Sequence, residues 1–156
     1  MSGSTKQRLV REGDLGAWLL KGNADHADLA GRFERDPWIE RWCVRPGYRA
    51  RLMRAGQPVV FWASGSRRQL PYGVWGIGHL TGPAAHTAHD GADSGWSVPL
   101  QVRVVATGQR LRREQIRAVP RLADIEVLRQ PQAGNPSFLT VPQFEALADY
   151  FAAVCG

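Results

Sequence analysis

What most constrains this chain is how often glycine and proline interrupt it. Seventeen glycines and ten prolines are spread over 156 residues, so its apolar residues fall in short runs that suit strands better than long helices. Ala17-Trp18-Leu19-Leu20 is the first run, and the polar Lys21-Gly22-Asn23 closes it as the exit of a buried strand. Asp25 can cap a helix through Phe33, with Ala27, Leu29, Ala30 and Phe33 on its inner side. Trp38, Trp42 and Val44 in WIERWCV lie at near-alternate positions, a second strand. Tyr48 to Arg54 reads as a short helix, with Leu52 and Met53 inward and Arg49, Arg51 and Arg54 outward.

Further along, Val59 to Ala63 and Gly73 to Leu80 read as paired strands, the glycines of the second marking bulges or close backbone approach. Trp96 opens an alternating strand, and Leu111 to Val119 reads as a helix. Ile125 to Leu128 reads as a strand and RQPQAGNPSFLT as irregular. Thr140 caps a last helix with Phe144, Leu147, Ala148 and Phe151 on its core face. About six or seven short strands and three or four helices predict an α+β fold, mainly β, shaped as a small barrel. The alternation of strands and helices is too irregular for a doubly wound sheet.

The length suits one domain, and a hydrophobic fraction of 44% can form a core without staples. The polar residues 1–15 are expected to be a loosely packed tail, with the domain at 16–156. No apolar stretch reaches 18 residues, so a cytoplasmic monomer with no membrane partner is expected. Cys43 and Cys155 form no CxxC pair; Cys43 reads as small apolar filler. The net charge is +6, and all basic residues except Lys6 and Lys21 are arginines. That excess favours polyanionic partners through counterion release.

Catalytic patterns are missing: no GxSxG, HExxH, Walker loop or GxGxxG stands at a strand-helix junction. His86-x-x-His89-Asp90 has ligand-like spacing but no further His or Cys nearby, and reads as a solvated loop. Asp124 with Glu126 reads as a solvated pair. No cofactor, metal or catalytic residue is expected. The six tryptophans are more informative. Each one alone suits a core, whereas two or three at one barrel mouth would sandwich a flat base. Asn23 offers the donor and acceptors needed to read a base edge, beside Gly22 and Lys21. Arg45, Arg49, Arg67 and Arg68 offer planar forks to phosphates.

WLLKGN at 18–23, WCVRPGYRARLMRAGQPVVFWASG at 42–65 and GVWGIGHL at 73–80 resemble the EVE domain in order and spacing. SGWSVPLQVRVV at 94–105 and EVLRQPQAGNPSFLTVPQFEAL at 126–147 continue the likeness. EVE domains are related to PUA and YTH domains, and members are associated with 5-methylcytosine or related modified bases. The resemblance implies a PUA-like pseudo-barrel and a base-sized pocket formed by Lys21, Gly22, Asn23, Trp42, Trp62, Ser64 and Trp96. In it Trp42 and Trp96 are the walls, and Trp62 and Ser64 line the same mouth. Gly22 departs from the family's usual serine, Pro46-Gly47-Tyr48 replaces an Asn-Tyr, and no acidic group stands near Val141-Pro142. These departures bear on which base is read, adenine above all.

The reading is a non-catalytic module that binds a modified nucleobase in DNA or RNA through an aromatic pocket. Its alternative is a binder of a free nucleotide or small metabolite. A nucleoside-processing enzyme is a third, weaker reading, because no nucleophile-base pair can be assembled.

Overall fold

The computed structural model describes residues 9–23, 29–64, 72–86 and 95–155. Its centre is one mixed sheet of eight strands: β1 Leu15–Asn23, β2 Trp38–Cys43, β3 Pro58–Ser64, β4 Gly73–Leu80, β5 Ala85–His86, β6 Trp96–Arg103, β7 Leu111–Arg112 and β8 Ser137–Thr140. The order is β2-β6-β4-β3-β1-β8, with β5 on β6 and β7 on β4. Among the described residues only β1 and β3 run parallel; every other pair is antiparallel. The sheet path ends at β2 and β8 without closing. The fold is α+β and mainly β, as expected, with one more short strand among the described residues than the upper expectation.

Strand alternation sorts the interior into two cores. Trp18, Leu20, Phe61, Trp75, Val98 and Leu100 face one side, joined by Leu29 and Phe33 of helix α1 (Leu29–Arg35) and Ala50 of α2 (Tyr48–Leu52). Leu19, Val60, Trp62, Val74 and Leu139 face the other. That second side is covered by α3 (Arg113–Arg117), α4 (Glu126–Arg129) and α5 (Val141–Cys155), through Ile116, Val127 and Leu147. The fully buried Trp18 keeps its indole N–H satisfied by Gln57 Oε1 at 2.8 Å, as burial of a donor requires. The glycines of β4 serve close approach: a Cβ on Gly76 or Gly78 would run into the backbone of Arg103 or Gln101 on the neighbouring chain segment. Thr140 caps α5 as expected. Its Oγ1 accepts from Gln143 N at 3.3 Å while Gln143 Oε1 accepts from Thr140 N at 2.9 Å.

Several local expectations are corrected. Ile125 to Leu128 is not a strand: Glu126–Arg129 is a helical turn, closed by Gln130 N donating to Glu126 O at 2.7 Å. Three apolar residues in four positions fit either period. The strand lies later, at Ser137–Thr140, in the stretch read as irregular. The helix assigned to Leu111–Val119 is shorter, because Leu111 and Arg112 pair with β4 first. Cys43 is exposed rather than core filler, since β2 is an edge strand. Val10 is buried in the first core and its N–H donates to Tyr48 Oη at 3.0 Å.

Candidate functional site

The parallel pairing of β1 with β3 sets Lys21 opposite Trp62, Gly22 opposite Ala63 and Asn23 opposite Ser64. Both strands thus leave the core at one place. Gly22 faces the first core, and Trp42 reaches over it from β2. The Trp42 indole N–H donates to Lys21 O at 2.9 Å. The ring stands edge-on to Phe61, with centroids 4.8 Å apart and planes at 81°. A Cβ on Gly22 would lie 2.7 Å from Phe61 Cζ and 2.9 Å from Trp42 Cζ2. The rings occupy the space that a side chain at position 22 would need. Ser64 Oγ donates to Gly22 O at 3.4 Å, and Asn23 is exposed at the rim.

Trp96 opens β6 at the same end. Trp42 pairs with Val98, and Val44 N donates to Trp96 O at 3.1 Å. Trp96 therefore lies on the diagonal from Trp42, and both rings pack partly buried against the first core. Diagonal neighbours on a strand pair stand about 7–8 Å apart. His86 meets Trp96 edge-on at 6.2 Å.

The six tryptophans separate by position. Trp18, Trp62 and Trp75 are interior, Trp42 and Trp96 stand partly buried at the rim, and Trp38 is 42% exposed on the edge strand. Trp62, expected in the base pocket, is corrected: it is 3% exposed and packs in the second core. Phe61 and Ala63 point to the side of Trp42, so the residue between them must point away.

The basic residues separate too. Arg49, expected on phosphate, is 5% exposed and holds Glu126 by two bonds of 2.6 and 2.9 Å; it also donates to Pro136 O at 3.0 Å. Burial opposes its charge, but bonding to Glu126 and Tyr48 outweighs that and keeps its pKa above the ordinary arginine value. Arg49 is thus structural, and Glu126, read as solvated, is the other half of a buried pair. Arg45, four residues earlier, is exposed. Arg67 and Arg68 lie outside the described residues, as do His89 and Asp90. Among the described residues no group of three His, Cys, Asp or Glu side chains could hold a metal.

Lys21 points to the face opposite Trp42. Its ammonium donates to Pro131 O at 2.7 Å and to Ala133 O. Its pKa is lowered from 10.5 by burial first and by Arg45 second, with Glu126 opposing. Asn135, which the sequence reading missed, accepts from Lys21 N at 2.8 Å and donates to Lys21 O at 3.0 Å through its side chain. That amide continues the sheet pattern beyond β8. The only signal in the sequence was an Asn-Pro pair in a stretch without periodicity. Arg32 was also missed: its guanidinium lies 5.5 Å from the Trp42 ring and 5.2 Å from the Phe33 ring. Between residues 45–49 and 129–136 opens a cavity of about 580 Å³.

No protein-family model matches the chain, and no curated protein does. Solved structures do. A hypothetical protein from Leishmania major superposes with a TM-score of 0.62 at 17% identity, over 92% of this chain and 98% of that one. The DUF55 domain of human thymocyte nuclear protein 1 gives 0.57 at 18% identity, over 87% and 98%. Human THYN1, solved in complex with DNA containing 5-methylcytosine, gives 0.57 at 16% identity, over 86% and 96%. Among the described residues no helix is long and apolar enough to cross a membrane. With matching order and near-complete mutual coverage, the chain has the fold of the EVE (DUF55) domains that its motifs resemble.

Proposed function

We propose that the protein is a non-catalytic module that binds a modified base of the 5-methylcytosine kind in a nucleic acid, the base entering between Trp42 and Trp96. The observation that carries this reading is the diagonal placement of two partly buried indoles beside Asn23 and Ser64. Asn23 and the backbone near Gly22 read the base edge, and Arg45 takes phosphate. The partner of human THYN1 in its complex, DNA with 5-methylcytosine, supports the choice of ligand.

Magnitudes shape the expectation. Extruding a base from a duplex costs a few kcal/mol, and stacking on an aromatic side chain returns about 1–3 kcal/mol per base. A buried methyl adds about 0.8 kcal/mol, roughly a fourfold preference. The test is binding of matched duplexes, with and without one 5-methylcytosine, to wild type and Trp42→Ala. Wild type should favour the modified duplex, and the variant should bind both weakly and without preference. Equal affinities in all four pairings would refute the reading. A free-nucleotide binder would show saturable mononucleotide binding with little salt dependence, whereas duplex binding weakens steeply with salt.

A further inference from the structure

We propose that the cavity between residues 45–49 and 129–136 takes the nucleotide next to the base held by Trp42, its phosphodiester lying against Arg45 and Arg129. The proposal rests on the base-binding reading above and extends it to a second nucleotide. Among the described residues, three arginines and no acidic side chain line the cavity. Arg49 is neutralised by Glu126. Arg45 and Arg129 have no carboxylate partner among the described residues; Arg129 Nε donates to Asp124 O at 2.7 Å, so an oxyanion would meet the Arg45 fork and the terminal nitrogens of Arg129.

The cavity is larger than a phosphate needs and falls within the range of about 300–1,000 Å³ typical of small-molecule sites. Tyr48, 39% exposed, and the rings of Pro46 and Pro131 give it flat apolar walls that suit a sugar and base. Lys21 joins the two sites. Its carbonyl receives the Trp42 indole N–H on one side, and its ammonium ties down the 131–133 carbonyls on the other. A strand with a base beside Trp42 therefore has its neighbouring linkage beside the cavity.

The walls are fixed before any ligand arrives. The two side-chain bonds of Asn135 to Lys21, and Arg45 N donating to Asn135 O at 2.9 Å, hold both loops together. The Arg45 side chain lies against Gly134, where an added Cβ would stand 2.6 Å from Arg45 Cδ and 2.8 Å from Cζ. Any side chain at 134 must push the guanidinium away. Arg45 is thus seated by a glycine, a form of preorganisation.

The experiment uses a duplex with one 5-methylcytosine and a neutral methylphosphonate in place of the linkage on either side of it. In wild type, one of the two replacements should weaken binding about tenfold and lower the slope of log affinity against log salt by about 0.9. The Arg45→Gln/Arg129→Gln protein should already bind about tenfold more weakly and ignore the replacement. Gly134→Ala, which removes no charge, should move affinity the same way. Both variants should keep the wild-type melting temperature. If both retain wild-type affinity and linkage sensitivity while Trp42→Ala loses binding, the cavity proposal falls and the base reading stands. If the arginine variant loses binding while Trp42→Ala is harmless, the base reading falls, and with it the neighbour relation proposed here. A wild-type protein that does not bind the duplex overturns both.

Discussion

The two faces of β1 at its carboxyl end differ more than their separation of one residue suggests. On one, Gly22 lies under Trp42 and Phe61, whose rings fill the space of a side chain. On the other, Lys21 runs into backbone carbonyls beside three arginines and a buried ion pair. The first face is an apolar rim whose aromatic rings suit stacking. The second is a charged hollow fixed by polar bonds. A strand that leaves the core offers both at once, because alternate residues point to opposite sides. The proposed binding sites lie at the boundary between the faces rather than in either core.

The largest effects should separate structure from binding within each face. Trp62→Ala removes a core indole and should cost about 3–5 kcal/mol. In a chain of this size each kcal/mol lowers the melting temperature by about 2–4 °C. Its folded fraction should bind as wild type does. Trp42→Ala should do the reverse for the most part, losing affinity with a smaller change in melting. Similar losses of affinity in both would erase the distinction between rim and core.

Arg49→Met should cost about 3–5 kcal/mol, since it leaves Glu126 buried without its partner. Arg45→Gln, at an exposed position, should stay within about 0.5 kcal/mol. Thermal melting of the two proteins checks this, and equal melting would mean that the two arginines are not different in kind.

Gly22→Ser should destabilise by about 1–3 kcal/mol through overpacking against Phe61 and Trp42. Its melting curve and indole fluorescence report whether Trp42 is displaced. A neutral substitution would show that the rim has room to spare.

The smallest effect is a pH dependence. The Lys21 ammonium is held below 10.5 by burial and by Arg45. An anion beside Arg45 would favour the charged form, so binding should take up protons in the window below 10.5. Duplex affinity should then weaken as pH rises through that window, and Lys21→Met should flatten the profile. A wild-type profile as flat as the variant's would separate Lys21 from the anion.

Much of the architecture was legible in the sequence. The runs at 15–23, 58–64, 73–80 and 96–103 alternate or stay apolar along their length, and tertiary contacts agree with that local pattern. Thr140 with Gln143 signals its helix by chemistry that is wholly local. Apart from the short run at Ile125 to Leu128, whose period is ambiguous locally, the failures share one cause, information supplied from far along the chain. Glu126 looks solvated until Arg49, 77 residues away, is placed against it. Ser137–Thr140 becomes a strand because β1 needs a partner on that edge. Trp62 shares the aromatic spacing of a pocket wall, and only the direction of its neighbours on β3 shows that it points elsewhere. Arg32 and Arg129 are ordinary helix-surface residues until packing brings one near Trp42 and the other to the cavity.

The central claim is that a base enters between Trp42 and Trp96, and photochemical cross-linking tests it most directly. A duplex carrying 5-iodocytosine at the modified position is irradiated with the wild-type protein, and the adduct is mapped by mass spectrometry. The account expects the adduct on Trp42 or Trp96, with loss of yield in Trp42→Ala. Adducts confined to Trp38 or Tyr48, with the yield unchanged by that substitution, would contradict it.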